Sequence, residues 1–133
     1  MSIDVEVREV EALRRREGFI VDMVDSYDQN FAVWDFIAAI NGRLEIEEMK
    51  SLFEGKPSIH ELQTRLLDEY ERTKNPLYLH SFNEYAIRAN RRNQGTEVLP
   101  INKETYSRFT RLRDNCPWFP MGVQRFERLV ESL

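Results

Sequence analysis

The chain is nearly free of cysteine. Cys116 is the single one among 133 residues, so no intrachain disulfide can form and no cysteine cage can hold a metal within one chain. Long hydrophobic runs are missing too. The longest, such as FIAAI at Phe36 to Ile40, is far too short to cross a bilayer. The opening MSIDVEVREVE is polar and acidic, unlike a signal peptide. These features lead to the expectation of a cytosolic protein without a membrane partner, in a cell or in an infected host.

Catalytic motifs are equally scarce. The sequence has no glycine-rich phosphate loop, no G-x-S-x-G elbow, no HExxH and no EF-hand loop. Its two histidines, His60 and His80, stand twenty residues apart. His60 beside Glu61 is no dyad, because adjacent helical residues point in different directions. Cys116 lies in NCPWFP, where it reads as a small buried residue in a turn; a nucleophile would need a histidine brought in by the fold. Glu45, Glu47 and Glu48 fit a solvated acidic face better than an oxygen cage. The expectation is a non-enzyme with no cofactor and no metal.

What is present suits a packed globule: 41% hydrophobic, 11% aromatic and 32% charged residues. The length predicts one domain over residues 1–133. Helical periodicity recurs along it. Ile3, Val7, Val10 and Leu13 open the chain, and Gly18 is expected to break or bend this first helix. Ile20, Met23, Val24 and Tyr27 follow. Phe31, Trp34 and Ile37 or Ala38 line the next predicted face, which Asn41-Gly42 stops. A short helix is expected over 44–54.

Ser58 to Glu61 has the form of a capping box, in which Ser and Glu each bond the other's backbone. The helix it starts carries Ile59, Leu62, Leu66 and Tyr70. Asn75-Pro76 caps and opens the next, with Leu79, Phe82, Ala86 and Ala89 inward. TEVLPI at 96–101 reads as an extended connector in which Val98 and Leu99 could form a short strand. Asn102 caps a helix to about Arg113, and Val123, Phe126, Val130 and Leu133 mark a last one. The predicted fold is all-α: a single-domain helical bundle or orthogonal array of about six or seven helices.

Charge divides the chain. Residues 1–72 carry 17 acids and 9 bases, and residues 73–133 carry 6 acids and 10 bases. This acidic half and basic half either form separate binding faces or pack on each other. In RANRRNQG, Arg88, Arg91 and Arg92 fall at helical spacings of three and four and share a face. Lys103, Arg108, Arg111 and Arg113 crowd the next helix. Such clusters grip phosphates. Arg91 and Arg92 equally suit a last helical turn, where cations meet the negative end of the dipole. The sequence pI of about 5.3 also argues against a strong non-specific nucleic-acid binder. Arg14 to Arg16 fan around a helix and serve best as partners for nearby glutamates.

Aromatic residues are many for this length. Trp118 and Phe119, held between Pro117 and Pro120, form a constrained turn that could anchor a partner at low entropic cost or plug the end of the bundle. The expected function is a small non-enzymatic accessory or adaptor protein that binds a larger protein or nucleoprotein complex, with Trp118 and Phe119 as partner-binding residues. The alternative is a nucleic-acid-binding module for DNA or RNA in residues 79–113, using Arg88, Arg91, Arg92, Lys103, Arg108, Arg111 and Arg113. A homo-oligomer also fits, since leftover apolar helix faces can close on themselves. Size and composition give the chain the look of an accessory protein of a phage or another mobile element.

Overall fold

The computed structural model describes residues 3–28, 30–92, 101–116 and 119. The described residues form six helices in succession: α1 (Ile3–Ser26), α2 (Phe31–Ile40), α3 (Ile46–Phe53), α4 (Ile59–Thr73), α5 (Pro76–Arg92) and α6 (Lys103–Asp114). Among the described residues there is no strand, only an isolated bridge between Asn41 and Leu44. The fold is a single all-α array, as the periodicity predicts. Of the expected extended connector only Ile101 is among the described residues, where it is buried; the short strand and the last helix lie outside them.

Local chemistry sets most helix starts. The Asn30 side chain accepts from the N–H groups of Ala32 and Val33, at 3.1 and 3.4 Å. Ser58 Oγ accepts from Glu61 at 3.3 Å, and Asn102 Oδ1 from Thr105 at 2.8 Å. Each satisfies a donor that the first helical turn leaves open. Asn75 Oδ1 receives the Leu77 N–H at 3.0 Å, with Pro76 in the first helical position. The capping box predicted at Ser58 closes in one direction. Glu61 turns along the helix to Arg65, at 3.5 Å. A backward cap forms instead at α3, where Glu48 accepts the Glu45 N–H at 3.2 Å.

Gly18 does not break α1. The helix runs 24 residues through it. Good helix formers precede Gly18, and Phe19, Ile20, Met23, Val24 and Tyr27 beyond it pack on the core. That tertiary contact outweighs the roughly 1 kcal/mol a helical glycine costs.

The core assembles around α5, which packs extensively on both α2 and α4, while α3 and α6 add to α4. Phe36 and Ile40 from α2, Leu62, Leu66 and Leu67 from α4, Leu79, Phe82 and Tyr85 from α5 and Phe109 from α6 are fully or almost fully buried. Phe82 stacks on Phe109 with centroids 4.6 Å apart, and Phe36 meets Tyr85 edge-on at 5.9 Å. Truncating one such side chain to Ala costs about 2–5 kcal/mol. Cys116 is buried, as its turn context predicts. Among the described residues, no helix is long and apolar enough to cross a membrane.

Candidate functional site

The helices place the predicted arginines against different acidic neighbours. On α5, Arg88 bonds Glu84 one turn earlier at 3.1 Å. Arg92 reaches across to α2 and holds Asp35 with two bonds, Nε to Oδ2 at 2.9 Å and Nη2 to Oδ1 at 2.8 Å. On α6, Arg108 reaches α4, where Nη2 lies 2.7 Å from Asp68 and 3.2 Å from Glu71. Arg113 pairs with Asp114 at 3.4 Å and lies over the Phe109 ring. Among the described residues, Arg91, Lys103 and Arg111 have no carboxylate within ion-pair distance.

The acidic half thus supplies Asp35, Asp68 and Glu71 to the basic half. The two halves pack on each other through these pairs. The cations respond accordingly. Hydrogen bonding to Asp35 raises the Arg92 pKa. Burial lowers that of Arg108, but its bonds and charge interactions with Asp68 and Glu71 more than compensate, so it too is raised. Both guanidinium groups stay charged at any physiological pH.

Of the expected aromatic anchor, Phe119 is half-buried and turned to the core. It stacks on His80 with centroids 4.9 Å apart and meets Phe109 edge-on at 6.0 Å. Trp118 lies outside the described residues. His60 is exposed and within 3.3 Å of the Asn102 side chain. Among the described residues, no three His, Cys, Asp or Glu side chains come together as metal ligands would.

A different aromatic pair faces solvent. Phe31 is 51% exposed and Trp34 38%. Their rings meet edge-on at 5.5 Å. The Arg92 guanidinium lies over Phe31, 4.9 Å from the ring centre, a favourable cation–π distance. The inward face of α2 keeps Ile37 from the predicted set and is completed by Val33, Phe36 and Ile40. Spacing alone could not tell the two faces apart, because FAVWDFIAAI is apolar almost all round. The signal was that excess: a helix with one charged residue in ten leaves some apolar side chain uncovered.

Beside this pair, Asp35, Glu84, Arg88, Arg91 and Arg92 line a shallow groove of about 410 Å³. Asp35 is buried at its base, 5% exposed. The surface therefore joins two aromatic rings, one arginine clamped from below, and Arg88 and Arg91 at the rim. Such a surface can bind an apolar side chain and a carboxylate side by side. No protein family, curated protein or solved structure matches the chain.

Proposed function

We propose that this protein is a non-enzymatic adaptor that docks through the α2–α5 surface onto an acidic face of a larger protein. The observation that carries this reading is the exposed Phe31–Trp34 pair braced by Arg92. Aromatic rings and arginine dominate binding energy at protein interfaces. Here Arg92 is already fixed by Asp35 and Phe31, so little side-chain entropy is lost on contact. Arg91, with no carboxylate of its own among the described residues, supplies the attraction for an acidic partner and favours a fast, oriented encounter.

The second reading is a nucleic-acid-binding module. Aromatic rings beside arginines also stack and hold single-stranded nucleic acid. Pairing of Arg88, Arg92, Arg108 and Arg113 with carboxylates weighs against it, since each of those charges already faces a carboxylate of this chain that would repel a phosphate.

The test is affinity capture from native extract with the wild-type chain and the variant Phe31→Ala/Trp34→Ala, each with and without nuclease. The adaptor reading expects a protein partner that survives nuclease and is lost with the variant. A partner retained by the variant overturns the docking surface. Capture lost on nuclease treatment, with nucleic acid recovered from the untreated sample, replaces the adaptor reading with the second one.

A further inference from the structure

Among the described residues, the amino-terminal half of α1 contributes no side chain to the core. Residues 4–15 are all exposed, a helical rod about 18 Å long. Among the described residues the helix is tied down from Arg15 onward, by Arg15 on Glu47 at 3.1 Å, by Arg16 on Asn41 and Met49, and by the apolar residues from Phe19 onward, while Leu13, at the end of the exposed stretch, borders a groove it shares with Ile46 of α3. Yet the free half is not a polar surface. Val7, Val10 and Leu13 are 47%, 46% and 60% exposed. They recur every third residue and form one ridge centred on Val10.

Charge around that ridge is arranged in a particular order. Four residues before Val10 stands Glu6, and four residues after it stands Arg14, both on the same face. More broadly, residues 4–11 hold four acids and one base, and residues 14–16 are three arginines. Laid parallel, two copies would set Glu6 against Glu6 and Arg14 against Arg14. Laid antiparallel about a twofold axis at Val10, they set Glu6 of each against Arg14 of the other. Val7 then meets Leu13, and Val10 meets Val10. A twofold contact must be self-complementary, and this order of residues satisfies that condition in one direction only. The acidic stretch is also a poor match for an anionic membrane surface.

We propose that α1 is a homodimerisation element, pairing antiparallel with α1 of a second copy through Val7, Val10 and Leu13, with Glu6–Arg14 ion pairs on both sides of the axis. The surface is separate from the α2–α5 groove, so a dimer presents two adaptor surfaces.

Sedimentation of the full chain over a range of concentrations tests it. The wild type is expected to show a monomer–dimer equilibrium. Glu6→Arg and Arg14→Glu, made singly, place like charges opposite each other and weaken the dimer by about tenfold or more. The double variant Glu6→Arg/Arg14→Glu restores the pairs in swapped order and recovers the dimer. Since all these positions are exposed in the single chain, helical content by circular dichroism stays constant throughout. A wild type that is monomeric at every concentration overturns the proposal. So does a dimer that ignores the single reversals, or one that the double reversal fails to rescue.

Discussion

Arg92 on α5 and Asp35 on α2 meet as a fork on a carboxylate, with bonds of 2.9 and 2.8 Å. The two partners differ in exposure. The Arg92 side chain is 45% exposed and that of Asp35 only 7%. Removing Arg92 therefore strands a buried charge, whereas removing Asp35 leaves a cation that water can reach. Such asymmetry decides what a mutation costs. Arg92→Ala is expected to lower the melting temperature more than Asp35→Asn does. The double variant Arg92→Ala/Asp35→Asn is expected to recover part of the loss. Equal effects of the two single variants in thermal melts would show that the carboxylate is hydrated after all.

Gly18 offers a test of α1 as one continuous helix. A Cβ built at this position meets nothing within 4 Å, and its backbone needs no left-handed conformation. Alanine restricts the unfolded chain and suits the helix better. Gly18→Ala is expected to stabilise the protein by about 0.5–1 kcal/mol in denaturant unfolding. A loss of stability would mean that the helix bends there.

The elements legible in the sequence are those whose causes are local. Asn102, Ser58 and the Asn75-Pro76 pair marked helix starts because a cap bonds backbone within three residues of itself. Leu62, Leu66 and Tyr70 marked the inner face of α4 because polar residues separate them cleanly. Gly18 misled because its local cost is small beside the packing of Phe19 and Ile20. Phe31 and Trp34 were expected to line one face with Ile37 or Ala38; packing against α5 keeps Ile37 inward, turns Val33 and Phe36 in beside it, and leaves Phe31 and Trp34 outside. The ion partners were beyond reach of any local rule. Arg92 and Asp35 lie 57 residues apart, and Arg108 and Asp68 lie 40 apart. Net charge of the two halves hinted at such pairing without naming a partner.

Arg65 joins α4 to the end of α3. Its Nη1 donates to the carbonyl oxygens of Leu52 and Glu54, at 2.8 and 2.7 Å. These lie at the carboxyl end of α3, where carbonyls lack helical partners and the dipole is negative. An arginine from the next helix thus acts as the cap. Arg65→Met keeps most of the aliphatic stem and removes the donors, and is expected to cost about 1–2 kcal/mol in denaturant unfolding. Arg65→Lys is expected to recover only part of that, because a single ammonium cannot serve both carbonyls and also reach Glu61, which the second guanidinium nitrogen, Nη2, approaches at 3.5 Å. Full recovery with lysine would reduce the contribution to charge alone.

Three buried tyrosines set an alkaline limit on the fold. Burial pushes the hydroxyls of Tyr70, Tyr78 and Tyr85 from 10.0 up to about 12. At Tyr70 the neighbouring Cys116 side chain adds to this, and at Tyr78 Glu48 and Glu69 do. At Tyr85 the bond from Gln63 Nε2, 3.0 Å long, opposes it. In the unfolded chain each tyrosine ionises near its ordinary value. The sign follows from linkage: below pH 10 both states hold the proton, and the stabilisation is complete. Between pH 10 and about 12 only the unfolded chain releases it, so stability falls steadily and is lost as the pH passes the folded value. Denaturant unfolding at successive pH values should show this decline, with tyrosinate absorbance rising together with loss of helix. Tyr85→Phe removes one acceptor of Gln63 and costs about 1–3 kcal/mol at neutral pH, yet makes the alkaline decline shallower. An unchanged slope in Tyr85→Phe would show that Tyr85 ionises without opening the core.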